Sequence, residues 1–302
     1  MDRLRAFEVF ASVVAKGSFT KAADALDTSP ANVTRYVNEL ETHLGTRLLN
    51  RSSRRISLTE SGRALHERCT GILEDVAEAE ALASATALRP RGRLRINAPV
   101  SFGIRYLADL WPEFMRRYPE IELDIDLIDR VVDMVEEGYD LVVRVSPQGS
   151  TAHVARKLAT SRNVVCAAPS YLERHGTPKT PADLAAHDCI GYSYAATGDE
   201  WHFTDKDGRP ESVRVRSVLR TNNGDTMRGA AIAGRGIMRP AKFMVADDLK
   251  AGRLVAILTD HHLPDTDLLA IYPSRRHVSA KVRVMVDYLS ASFKGTPPWD
   301  RT

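Results

Sequence analysis

The chain has 302 residues, 43% of them hydrophobic and 27% charged, an ordinary globular balance with material for about two to three domains. Its 42 basic and 39 acidic residues leave a net charge of only +3, which excludes bulk polycation binding and confines any nucleic-acid surface to a local patch. Three scattered cysteines, Cys69, Cys166 and Cys189, form no CxxC pair; the opening MDRLRAFEVF lacks a basic leader with a long apolar run, and no apolar run reaches membrane-spanning length, so a cytoplasmic protein with reduced thiols and no membrane contact is expected.

In chain order, Leu4, Phe7, Ala11 and Val14 mark the apolar face of a first helix, ended by Lys16-Gly17. Ser18 can cap a second helix in which Ala22, Ala23 and Leu26 face inward. After the Thr28-Ser29-Pro30 break, Ser29 suits an N-cap and Pro30 the first helical position, where a missing N–H costs nothing. Val33, Val37, Leu40 and Leu44 form the buried stripe of a third helix, stopped by Gly45. Residues 46–58, TRLLNRSSRRISL, read as two short strands joined at Asn50 to Arg54, a wing carrying Arg47, Arg51, Arg54 and Arg55 and no acid.

Thr59 or Ser61 can cap a helix running to about Leu88, with Leu65, Cys69, Ile72, Val76, Ala79 and Ala83 on a heptad seam. At about 1.5 Å per residue it spans roughly 43 Å. A helix that long and alanine-rich reads as a dimerisation linker; the alternative is a helix packed on its own domain. RPRGRLR, from Arg89 to Arg95, reads as a hinge.

Beyond it strands and helices alternate, which implies sheets with helices packed on them. Strands are expected at Leu94 to Ala98, Ile121 to Ile128, Asp140 to Val145, Asn163 to Ala168 and Leu268 to Tyr272. Helices are expected at Phe102 to Tyr118, Val131 to Glu137, Asp225 to Ala233 and Ser279 to Ser292, and the tail KGTPPWDRT is expected to fray.

Helix, tight turn and second helix make a helix-turn-helix, whose second helix lies in the DNA major groove. Asn32 can donate and accept at a base edge, Thr34 offers a hydroxyl and a methyl, and Arg35 can fork onto guanine or hold a phosphate. Ser29, Pro30 and Ala31 let the backbone approach closely; Lys21 suits the phosphate backbone, and Arg51 and Arg54 would bind phosphate or enter the minor groove.

FEVFASVVAKGSFTKAADAL followed by SPANVTRYVNELETHLGTRLLNRSSRRISLTESG resembles the N-terminal domain of LysR-type transcriptional regulators. NNGDTMRGAAIAGRGI, VADDLKAGRL and YPSRRHVSAKVRVMVDYL resemble the family's effector-binding region. The resemblance implies α/β architecture with a winged helix-turn-helix at residues 1–58, a linker helix at 59–88 and an effector-binding regulatory domain at 89–302. The last would hold two Rossmann-like, periplasmic-binding-protein-like subdomains, 92–161 with 268–302, and 162–267. It also implies a homodimer or homotetramer on a double-stranded operator, control by a small-molecule effector, RNA polymerase as a further partner, and no cofactor or metal. Ser29-Pro30-Ala31 stands where the family often has Ser-Gln-Pro, Tyr36 where glutamine is frequent, and Gly236 to Pro240 brings its proline one position early.

An enzyme would need other signals. No G-x-S-x-G elbow, HExxH or metal-spaced Cys/His cluster is present. His261-His262 reads as a surface loop, GAAIAGRG lacks the Gly-Lys-Ser/Thr ending of a phosphate loop, and a periplasmic solute-binding protein fits neither the N-terminal module nor the missing leader.

In open α/β sheets ligands sit beyond the carboxyl ends of strands. Pro99-Val100-Ser101 and Thr221-Asn222-Asn223 each end a strand and open a helix. If the two subdomains face each other as in the family, both helix N-termini favour a carboxylate. Ser101, Asn222 and Asn223 would then supply polar contacts, Arg144 a positive charge and Phe102 an apolar wall, for a small organic acid, aromatic or not. The alternative is that Ser101 and the asparagines only cap helices and that Arg144 pairs with an acid.

Overall fold

A computed structural model describes residues 1–301 apart from 53–54, 84–89, 148–153 and 274–277. The chain divides into two compact units, Met1–Arg89 and Pro90–Thr302.

The first unit begins with α1 (Arg3–Lys16), α2 (Phe19–Ala25) and α3 (Pro30–Leu44). Each start is fixed by a side chain: Asp2 accepts from the Arg5 N–H at 3.1 Å, Ser18 from Lys21 at 3.4 Å and Ser29 from Asn32 at 3.2 Å. Gly17 and Gly45 close α1 and α3 in the left-handed conformation that glycine adopts without steric cost. The buried residues of α1 are Ala6, Val9, Phe10 and Val13, while Leu4 is exposed. Almost every position from 6 to 14 is apolar, so periodicity alone did not select the stripe. Val33, Val37 and Leu40 of α3 meet that face, as expected, but Leu44 stays exposed.

The wing is an antiparallel pair, β1 (Leu49–Ser52) and β2 (Arg55–Leu58), with Leu49 opposite Leu58 and Arg51 opposite Ile56. Glu41 ties α3 to it, one carboxylate oxygen accepting the Leu48 and Leu49 N–H groups at 2.8 and 3.2 Å. The fourth helix, α4 (Glu60–Ala83), is capped by Thr59, whose hydroxyl accepts the Gly62 N–H at 2.9 Å and donates to the Arg47 carbonyl at 2.7 Å. Gly62 is required there, since a Cβ would sit 1.9 Å from the Leu48 carbonyl oxygen. The start of the expected seam is used inside the chain: Cys69 is buried in the winged-helix core and Leu65 packs against it. Ile72 is exposed. The end of the expected linker, 84–88, lies outside the described residues.

The second unit holds two five-stranded mixed sheets. One has the order β4-β3-β5-β14-β6, built from β3 (Gly92–Ala98), β4 (Ile121–Leu127), β5 (Leu141–Pro147), β6 (Val154–Ser161) and β14 (Thr266–Tyr272). Strand β3 runs parallel to β4 and β5, and β14 antiparallel to β5 and β6. The other has the order β11-β8-β12-β7-β13, from β7 (Val165–Ala167), β8 (Asp188–Tyr192), β11 (Arg216–Thr221), β12 (Ile237–Met238) and β13 (Val255–Ile257). A separate hairpin pairs β9 (Glu200–Thr204) with β10 (Pro210–Arg214). The helices are α5 (Val100–Phe102), α6 (Trp111–Arg117), α7 (Pro169–His175), α8 (Gly224–Ile232), α9 (Ala246–Lys250) and α10 (Ala280–Ser292).

Three expectations are corrected. The helix expected at Phe102 to Tyr118 is a run of four segments of three types, α5, a π turn at Gly103–Leu107, a 3-10 turn at Ala108–Leu110, and α6. Residues 131–137 are not helical: Asp133 turns back to accept the Val135 and Glu136 N–H groups, both at 2.9 Å, and Val131 stands 83% exposed with no core to cover it. The tail does not fray. Its Trp299 is 2% exposed, with ring centroids of Tyr106, Phe243, Phe102 and Phe293 5.1 to 6.2 Å away. No helix among the described residues is long and apolar enough to cross a membrane.

Candidate nucleic-acid interface and effector cleft

The outward surface of α3 borders an open groove of about 870 Å³ lined by Ala31, Thr34, Arg35, Asn38, Glu39 and Thr42 together with Met1 and Asp2. Its polar side chains are held before any partner arrives. The Thr34 hydroxyl donates to the Pro30 carbonyl at 2.8 Å, and the Asn32 amide to the Thr28 hydroxyl at 3.3 Å. Arg35 donates to Glu39 at 2.8 Å and lies 4.6 Å from the Tyr36 ring centroid. Ser29, Pro30 and Ala31 form the exposed first turn, and Lys21 is exposed on α2. The backbone of Arg51 lies on β1; Arg54 lies outside the described residues.

In the second unit, β3 leads into α5 and β11 into α8, and the two helix starts meet. The Ser101 hydroxyl donates to Asp225 at 2.8 Å, and Arg105 pairs with the same carboxylate. The approach is close: a Cβ on Gly224 would lie 2.2 Å from the Met244 methyl and 3.0 Å from Ser101 Oγ. Asp225 was not foreseen; its signal was an acid in the first turn after Asn222-Asn223-Gly224, where the helix dipole favours it. Burial works against its charge, but hydrogen bonds from Arg105 and Ser101 hold its pKa below the ordinary value.

A second unforeseen acid, Asp129, accepts the Val100 N–H at 3.0 Å. Burial raises its pKa, opposed by that N–H and by the Asn223 side chain. The chain's own carboxylates therefore sit at the helix start and the serine that were expected to receive an effector. Asn223 caps α8, accepting from the Thr226 N–H and hydroxyl at 2.9 and 3.0 Å, and Asn222 donates to the Tyr194 hydroxyl at 3.3 Å. Phe102 is not an accessible wall. It is fully buried among Tyr106, Phe243, Phe293 and Trp299, because the residue after Ser101 faces the core of the first sheet.

Of the two roles left open for Arg144, on β5, pairing with a neighbouring acid is not the one it takes. It makes no ion pair with an acid among the described residues, and its Nη2 is buried without a hydrogen-bond partner there. Burial, then the nearby Arg130 charge, lowers its pKa, against the pull of Glu137, Tyr192 and Asp129. The Tyr192 hydroxyl, at the end of β8, is pushed up to about 12 by burial and by Asp129. Residues of both sheets thus meet around one guanidinium that is short of an acceptor. No cluster of three or more metal-ligating side chains occurs among the described residues.

A winged helix-turn-helix followed by a unit of two five-stranded sheets is the architecture of a DNA-binding regulator with a separate regulatory domain. Residues 4–63 match the model of the bacterial regulatory helix-turn-helix protein, lysR family, and residues 87–294 that of the LysR substrate binding domain. A transcriptional regulator of Haemophilus influenzae is 34% identical over 93% of this chain and 98% of its own. Among solved structures, CrgA of Neisseria meningitidis, a LysR-type transcriptional regulator, is 31% identical with a TM-score of 0.61, covering 96% of this chain and 99% of that one. The Vibrio cholerae virulence activator AphB is 27% identical, also at 0.61, over 96% and 99%. The chain belongs to the LysR family: it is a transcriptional regulator with an effector-binding domain, not an enzyme.

Proposed function

We propose that the chain is a sequence-specific operator-binding regulator whose effector is a small organic acid held on Arg144 between the two sheets. The observation that carries the effector class is the buried Arg144 Nη2 without a partner. A buried donor left unpaired costs about 1–3 kcal/mol, and an anionic ligand recovers that cost. The effector domain runs from 89 to 302, with subdomains 92–161 plus 268–302, and 162–267. On the DNA side, Asn32, Thr34 and Arg35 read base edges from a helix opened by Ser29, Pro30 and Ala31, and Lys21, Arg51 and Arg54 hold phosphates. The winged module spans 1–58 and the helix of 59–88 pairs two chains, since a dimer reading two half-sites supplies the contacts a monomer lacks. Two such dimers assemble as a homotetramer in the cytoplasm and contact RNA polymerase.

The test is calorimetry of the full chain against a panel of aliphatic and aromatic acids, repeated on Arg144→Ala and Ser101→Ala. An acid that binds the parent should lose roughly ten- to a hundredfold on Arg144→Ala, the worth of a charged hydrogen bond. It should change little on Ser101→Ala, because the serine proton is already given to Asp225. An acid that binds Arg144→Ala as well as the parent, or a hit set made only of cations, would overturn the assignment.

A further inference from the structure

A carboxylate stands in the middle of the surface that α3 would present to DNA. At about 100° per residue, the buried stripe Val33, Val37 and Leu40 occupies one side of α3. Arg35 projects from roughly the opposite side, with Ala31, Thr42 and Glu39 within about 40° of it. These four line the same groove. An acid there is anomalous. The major groove is walled by phosphates, and a negative charge entering it is repelled unless it accepts from a base.

Glu39 is not loose on that surface. It accepts from Arg35 Nη1 at 2.8 Å, and the guanidinium lies 4.6 Å from the Tyr36 ring centroid, which serves as a shelf. Donor and acceptor are therefore fixed side by side on the outermost ridge. A guanine–cytosine pair offers the mirror pattern in the major groove: the guanine O6 and N7 accept, and the neighbouring cytosine N4 amino group donates. An adenine–thymine pair in the same orientation reverses it, setting the adenine N6 donor against arginine and the thymine O4 acceptor against glutamate.

We propose that Arg35 and Glu39 together read one guanine–cytosine pair in each operator half-site, with Glu39 the specificity-determining residue that rejects adenine–thymine there. Arg35 donates to guanine O6 and N7, and Glu39 accepts from the N4 amino group of the paired cytosine. The pair's charge is close to zero, so it adds selectivity and little phosphate attraction. The inference rests on the proposal that α3 reads the operator.

The experiment selects bound duplexes from a randomised library with the full-length parent, Glu39→Ala and Arg35→Ala. The enriched site is then titrated, base pair by base pair, by fluorescence anisotropy. The parent should enrich a half-site with an invariant guanine–cytosine pair. Glu39→Ala should keep the preferences at the other positions. At that pair it should lose roughly five- to a hundredfold of the discrimination against adenine–thymine, the range of a good base contact. Its binding to unrelated duplex should tighten, because a negative charge has left the groove. Arg35→Ala should flatten the same position. Glu39 is half-buried and belongs to no buried apolar cluster among the described residues, and an unchanged melting temperature verifies folding. Unchanged base preferences in Glu39→Ala, or a loss at a different pair from that lost in Arg35→Ala, would overturn the inference while leaving operator reading intact. A parent that enriches no sequence would overturn operator reading and this inference with it.

Discussion

Replacing Trp299 with alanine should cost the second unit about 3–4 kcal/mol. The residue is four from the C-terminus and 2% exposed. A buried tryptophan removes roughly 200 Å² from water, which at about 25 cal/mol/Å² is ~5 kcal/mol as an upper bound. The indole N–H has no hydrogen-bond partner among the described residues, so its removal returns about 1 kcal/mol of desolvation cost. For a domain of about 150–250 residues each kcal/mol moves the melting point by some 2–4 °C, giving a fall of roughly 6–16 °C. Phe102 touches the same indole and directly follows Ser101, so the cleft should loosen with the core. Calorimetric melting of the full chain reads the first effect, and hydrogen exchange of residues 100–107 the second. A variant that melts within about 1 °C of the parent, below the shift one kcal/mol would give, with unchanged exchange, would refute the placement of the tail in the core.

Gly62→Ala should displace the wing, because the new methyl would meet the Leu48 carbonyl oxygen at 1.9 Å; about 1–3 kcal/mol of stability and much of the DNA affinity should be lost, measurable by urea melts and anisotropy. Asp248, 1% exposed, is held by Arg228 and Arg253 at 2.7 Å each. Burial opposes its charge but the two arginines keep its pKa below the ordinary value, so its stabilisation is present above about pH 4 and is lost as pH falls through the lowered folded-state value. Asp248→Asn should cost about 3 kcal/mol at neutral pH and flatten the acid limb of a melting-against-pH curve; an unchanged limb would contradict the ion triad. The three thiols are buried and pushed up to about 11 for Cys69 and about 12 for Cys166 and Cys189. Ellman's reagent should therefore label none of them until the chain unfolds, and rapid labelling of the native protein would count against the burial.

The local elements were legible where one residue type has one physical use. Ser29-Pro30 could hardly be anything but a helix start, and Gly45 and Gly17 closed their helices as read. Patterns that several packings satisfy were not legible. The heptad seam of α4 begins with Leu65 and Cys69, which the winged-helix core takes for itself. Val131 to Glu137 carried a helical spacing, but Asp133 and Glu137 satisfy the backbone in turns instead. In the second unit, Ser101 and the asparagines stood out in the sequence because they follow strand ends, and Arg144 because it is a charge on an otherwise apolar strand. Asp225 and Arg105 could not, because their meaning is a contact 120 residues apart in sequence. Trp299 was misread for the same reason: three of the four aromatic residues that receive it, Phe102, Tyr106 and Phe243, come from two segments distant in sequence.

The two arginines on which the function turns differ in the resource they leave for a partner. Arg35 is exposed and already paired with Glu39. An exposed pair on a helix is worth only about 0.3–0.5 kcal/mol, so contact with DNA breaks little and gains little in net charge; its value lies in which base edges fit the fixed donor and acceptor. Arg144 is half-buried and lacks an acceptor at Nη2 among the described residues. Glu137, Tyr192 and Asp129 offset part of its desolvation, and an acceptor at Nη2 would relieve more of it. Two neighbouring carboxylates pull on it without bonding Nη2: Glu137 is engaged by Arg130, and Asp129 by the Val100 N–H. On the proposed reading, an acceptor brought from outside would satisfy Nη2 and bridge the sheet carrying Arg144 and the sheet carrying Tyr192. Selectivity would on that reading be built at the surface from paired groups, and responsiveness in the second unit from a donor still open to a ligand.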